Sequence, residues 1–159
     1  MNGLVRTAGR LGIVILLTGS CNHGDSPADT ARAHRAQWEA SGISDYTWRV
    51  YVGCFCDAGI SIVKVVDGKP VDLLVHGEPA SIKLDQEQGY IPLTMEDLFD
   101  VLDEAYAEHA QTVKVTYDEN LGYPTDISID PNYGCQTQAD GCVVYDDETQ
   151  YTVKSFEKN

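Results

Sequence analysis

The sequence predicts an α+β fold: an antiparallel β-sheet of about six strands with two helices on one face, in the order α-βββ-α-βββ. Three observations predict it. Short runs of alternating apolar and polar residues outnumber helical stretches. Asp67-Gly68 stands between two such runs, as in a tight two-residue hairpin. Two segments carry helix-start chemistry, and each precedes three strand-like runs. Helices segregated on one face of an antiparallel sheet are the layer arrangement this order favours.

The first segment, residues 1–20, is not part of that fold. Arg6 and Arg10 precede a seven-residue apolar core at 11–17, and Thr18, Gly19 and Ser20 lead into Cys21. A basic head, a short apolar middle and a small-residue stop make an export signal, too short to span a bilayer. Residues 16–21 (LLTGSC) resemble the lipobox of bacterial lipoproteins, in which the cysteine thiol is acylated and becomes the new first residue. Thr18 occupies the place where that pattern has leucine, whereas Gly19 and Ser20 fit. The expected organisation is therefore a signal at 1–20, a lipid-anchored tether at 21–30 and a single domain at 31–159. The protein would be exported and anchored on the extracytoplasmic side of a membrane, in the periplasm or at the cell surface.

Within the domain, Asp29 or Thr30 can cap a helix running to about Ser41, where Gly42 stops it. Trp38 is its only large apolar residue, so this helix depends on docking. Tyr46, Trp48, Val50 and Val52 alternate with Thr47, Arg49 and Tyr51, and Cys54 and Cys56 continue the apolar face. Strands at 60–66 and 71–75 flank the Asp67-Gly68 turn, and 77–92 reads as loop. Thr94 caps a second helix from Met95 to about Glu108, with Glu96 and Asp97 in its first turn and Leu93 and Leu98 placed for a hydrophobic staple. His109 reads as a helix-end residue. Val113, Val115 and Tyr117 alternate, residues 118–123 turn, Ile127 and Ile129 return, and Tyr151 and Val153 mark the last strand. The two hairpin sequences are faintly alike, which hints at a duplicated α-βββ unit.

The composition limits function. The chain has 159 residues and 43% hydrophobic content, enough for one domain with a real core. Its 25 acidic and 11 basic residues leave a net charge of −14, which argues against nucleic-acid binding and against adhesion to anionic lipid by charge alone. Any membrane attachment therefore falls to the acyl chains, worth about 0.8 kcal/mol per buried methylene.

Trp38, Tyr46, Cys54-Phe55-Cys56, the 65–68 hairpin, Leu98-Phe99, Tyr117-Asp118, the 122–125 turn, 127–130, Asp147-Glu148, Tyr151 and Phe156 occur together in this order. Together they resemble a family of exported bacterial domains of unknown function, the one numbered 6174. The resemblance spans roughly Trp38 to Phe156 and implies an address and an architecture, with no catalytic residues. Residues 132–144, with Cys135 and Cys142, stand out from the family pattern as an inserted loop.

Five cysteines become four once Cys21 is acylated, and export favours two disulfides. Cys135 and Cys142 can close on themselves; a loop of about eight residues stabilises by about 2.5 kcal/mol on the chain-entropy model. Cys54 and Cys56 would lie ~6.7 Å apart in a regular strand, with Cβ atoms too distant for a bond, so a local bridge requires a bend there. The local pairs Cys54–Cys56 and Cys135–Cys142 are preferred because the inserted loop brings its own two cysteines. The crossed arrangement, joining Cys54 and Cys56 to Cys135 and Cys142, is the alternative.

A thiol–disulfide exchange enzyme using Cys54 and Cys56 is the alternative to a structural role. It lacks the Cys-x-x-Cys spacing and helix N-terminus that lower a thiol pKa. A divalent-cation-binding domain is a further alternative, from the acidic run 146–148 with Asp118, Glu119, Asp130 and Asp140. No EF-hand loop, HExxH, phosphate loop or nucleophile elbow occurs, and no cofactor or metal is expected. His23, His34 and His76 belong to no recognisable catalytic arrangement, and Tyr90, Tyr123 and Tyr133 fall in expected loops. The expectation is a non-enzymatic binding or structural domain of the cell envelope. Its partners are the membrane, through the anchor, and an unidentified envelope protein or ligand.

Overall fold

A computed structural model describes residues 26–54, 59–83, 91–131 and 148–159. The first helix, α1 (Pro27–Ala40), starts earlier than expected. Ser26 is its N-cap, and a reciprocal capping box joins Ser26 and Asp29. Pro27 then occupies the first turn, where a missing N–H costs nothing. Residues 27–30, expected in the tether, are therefore helical. The cap carries a pH dependence. The Ser26 hydroxyl, ahead of Arg32 and the Ser26 amide, holds the Asp29 carboxyl down at about 2, below its ordinary 3.8. A carboxylate pKa lowered by folding contributes stability above the ordinary value and loses it as pH falls from about 4 to about 2. Carboxyl-carbon NMR should place the Asp29 titration near 2, and Ser26→Ala should move it up towards the ordinary value, with faster amide exchange in the first turn.

Four strands follow: β1 (Tyr46–Gly53), β2 (Gly59–Val66), β3 (Lys69–Val75) and the short β4 (Glu78–Pro79). Asp67 and Gly68 both have positive φ, 50° and 69°, as the two-residue hairpin turn requires. Then come α2 (Met95–Ala107), β5 (Thr112–Tyr117), β6 (Pro124–Asp130) and β7 (Thr149–Lys158). Thr94 caps α2 as expected, with Asp97 completing a capping box. Its far end also agrees: Glu108 is the C-cap, and His109 follows with φ 57° just outside the helix.

The strands form one sheet in the order β4-β3-β2-β1-β7-β6-β5, antiparallel throughout. The sheet has seven strands, not about six, because β4 forms inside the region expected to be loop. The described order is accordingly α-ββββ-α-βββ. Two meanders meet at the β1–β7 pairing, where Trp48 stands opposite Phe156. The duplication hint fails on handedness. In both meanders successive strands step towards the β4 edge, yet β1 and β5 run in opposite directions. With helices on the same face, no rotation superposes the two units.

Both helices do lie on one face. The Trp38 ring of α1 meets Tyr46 edge-on at 5.7 Å between centroids, and the Tyr46 hydroxyl accepts the Met95 amide at the start of α2, 3.0 Å away. Between helices and sheet lies the core: Trp38, Tyr46, Trp48, Val50, Val63, Leu73, Leu98, Phe99, Leu102 and Ile127 among others. Its indole N–H groups are satisfied, Trp38 by Glu96 at 2.9 Å and Trp48 by the Leu93 carbonyl at 3.3 Å. Aromatic pairs Trp38–Phe156, Tyr46–Phe156 and Tyr123–Phe156, at 5.0 to 5.8 Å, join helix, first strand, last strand and the β5–β6 turn.

Candidate functional site

Cys54 is the one cysteine among the described residues; Cys21, Cys56, Cys135 and Cys142 lie outside them. β1 ends at Gly53, so Cys54 lies just beyond the strand, but it packs against the core as its spacing predicted. It sits in a bend, half-buried against the core, and its side chain is engaged. A bend is what a local Cys54–Cys56 bridge requires. Gly53 pairs with Gln150, and Ile129 with Thr149, so the β1–β2 and β6–β7 connections leave the same end of the sheet.

Several of the described carboxylates accept hydrogen bonds from turn amides or from neighbouring hydroxyls. Asp118 Oδ1 accepts the amides of Asn120 and Leu121 at 2.9 and 2.8 Å, shaping the β5–β6 turn. Asp126 accepts the Thr152 hydroxyl at 2.8 Å, and Glu148 accepts that of Ser128. Glu119 offers its carbonyl to Gln37 of α1. Among the described residues no group of three or more His, Cys, Asp or Glu side chains is placed to hold a metal ion. Asp140, Asp146 and Asp147 lie outside them.

The helical layer is tied by charge and stacking. Arg35 of α1 reaches Asp100 and Asp103 of α2 at 2.6 and 2.7 Å. His34 stacks on Tyr117 with centroids 3.9 Å apart. Burial, then nearby Tyr106 and Asp103, pushes the Tyr117 phenol up from its ordinary value and keeps it neutral. His34 Nδ1 and the hydroxyls of Tyr106 and Tyr117 are buried with no hydrogen-bond partner among the described residues. The sequence shows His34 in no recognisable arrangement and gives no sign of this stack, because Tyr117 is remote in the chain.

The opposite face of the sheet is where side chains remain available. In β1 the buried residues Tyr46, Trp48, Val50 and Val52 alternate with Thr47, Arg49 and Tyr51, which therefore point away from the helices. Register places Ile60 opposite Tyr51, Ile62 opposite Arg49, and Leu74 opposite Ile62, all on that outer face. Ile60 is 39% exposed. Lys154 of β7 holds its ammonium 5.5 Å from the Tyr51 ring centroid, a cation–π contact on the same side. Lys64 lies next to this group, opposite Thr47. The alternation is visible in the sequence, whereas the patch is not, because its composition depends on which strands are neighbours.

These features define a class: a one-layer antiparallel sheet with helices on one face and an accessible patch on the other. The chain belongs to the family of unknown function DUF6174, which it matches over residues 30–158. Comparison with curated proteins and with solved structures returned no match.

Proposed function

We propose that this domain is exported, held at the extracytoplasmic side of a membrane by acyl chains on Cys21, and acts there without catalysis by binding an envelope component through the outer sheet face. The observation that carries the reading is the one-sided core. Helices cover one face, while the other presents Tyr51, Ile60, Ile62 and Leu74 beside cations. An apolar patch rimmed by polar side chains is the usual mark of an interaction surface. The family match starts at residue 30, after the basic and apolar leader, which agrees with a leader separate from the domain. No described helix is long and apolar enough to cross a membrane, so attachment in this reading rests on lipid. In this reading disulfides Cys54–Cys56 and Cys135–Cys142 stiffen the domain in an oxidising compartment.

Intact-mass spectrometry of the membrane-extracted protein tests this directly. The expected mass corresponds to a chain beginning at acylated Cys21, and Cys21→Ser should release the protein from membranes. A chain beginning at Met1 with all five cysteines reduced would overturn the export, anchor and disulfide readings together.

A further inference from the structure

The outer sheet face carries more information than its exposure. Arg49, Lys64 and Lys154 surround Tyr51, Ile60, Ile62 and Leu74, so an apolar centre is bordered by three cations. The molecule has 25 acidic residues against 11 basic ones, yet these three cations form no ion pair among the described residues. The arginines of α1 behave differently. Arg32 pairs with Asp29, and Arg35 with Glu39, Asp100 and Asp103. The ion pairs among the described residues thus fall on the helical face, although Asp72 stands opposite Lys64 in register.

We propose that the β1–β3 half of the outer face docks an acidic protein segment whose carboxylates flank apolar side chains. The proposal rests on the binding-domain reading and specifies its partner. Glutamate or aspartate side chains would meet Arg49, Lys64 and Lys154, while aliphatic or aromatic side chains cover Ile60, Ile62 and Leu74. Such complementarity steers association and selects against basic partners. A bilayer fits less well. The same face carries Asp126 and Asp130 on β6 and Glu157 on β7, so a flat anionic surface would meet acid together with base. A segment about three strands wide, roughly 15 Å at strand spacing, meets the basic half alone. Asp72 and Glu157 border the Lys64 end and limit the basic patch there.

The test uses the mature chain with its cysteines intact. A labelled peptide alternating glutamate with leucine is titrated by fluorescence anisotropy, beside a lysine–leucine counterpart and phosphatidylglycerol vesicles. The acidic peptide should bind and the basic one should not, with affinity falling as salt rises. Amide shift changes should map to Arg49, Tyr51, Ile60 and Ile62. The triple variant R49E/K64E/K154E should weaken binding at least tenfold, and Ile60→Asp should weaken it without altering the urea midpoint by more than a surface substitution does. Equal binding of both peptides, no binding of either, shifts confined to the helical face, or an unaffected triple variant would overturn the proposal. Vesicle binding through the three cations without peptide binding would overturn it in favour of a membrane surface. A chain acylated at Cys21 that binds neither peptide fails here alone. One that begins at Met1 yet binds the acidic peptide fails only the envelope reading.

Discussion

Trp38→Ala should destabilise the domain by about 3–5 kcal/mol, the range for deleting a buried tryptophan. Trp38 is 2% exposed and touches Tyr46, Tyr123 and Phe156 edge-on, so its removal opens a cavity where four elements meet. It also leaves the Glu96 carboxylate without the indole N–H that lies 2.9 Å away. The rest of α1 cannot compensate. Ala31 is the only other buried residue of that helix, and the remaining ties are Arg35, Gln37 and the His34–Tyr117 stack, on half-buried or exposed groups. Loss of stability should therefore come with undocking of α1. Urea unfolding gives the first quantity, and amide exchange in residues 27–40 gives the second. A variant that loses less than about 1 kcal/mol, with α1 still protected, would show that the aromatic cluster does not hold the helix.

Gly122→Ala should cost about 2–4 kcal/mol, because two penalties fall on one residue. Gly122 has φ +83°, a conformation that side-chain-bearing residues rarely adopt. An added Cβ would also stand 2.7 Å from the His34 backbone oxygen and 2.9 Å from Gln37 Cβ. Neither contact is relieved by rotating a flexible side-chain end. The β5–β6 turn must therefore shift away from α1, which strains the Gln37 bonds to the carbonyls of Glu119 and Asn120, both 3.1 Å. Gly68→Ala provides the control: its φ of +69° is similar, but no atom lies within 4 Å of the added Cβ. The Gly122 variant should lose more stability than the Gly68 variant, and the difference measures the close approach of α1.

Some of the fold was legible because its causes are local. The Asp67-Gly68 turn, the Thr94 cap and the alternation in β1 each depend on residues within a few positions of one another. The start of α1 was legible too, since Ser26, Pro27 and Asp29 form a capping signature; reading the segment as tether passed over it. β7 was harder. Tyr151 and Val153 share a parity, yet Phe156, of the other parity, packs against the core with them, because the β1–β7 register shifts between Arg49 and Val50. An irregularity in pairing changes the phase of alternation, and no window along β7 alone contains its partner. The short β4 was missed for a related reason: two exposed residues become a strand only because Leu74 and Val75 lie alongside.

The candidate surface divides in the same way. The sequence by itself determined which residues of β1 and β2 share a face, the kinds of helix ends and turns, and the strong negative charge. Only the tertiary structure decided which sheet face the helices cover, that the first and last long strands pair, and that Arg49, Lys64 and Lys154 border one apolar patch. The physical reason is range. Periodicity and turn chemistry act over a few residues, whereas strand order and face coverage are set by where distant aromatic side chains can be buried together.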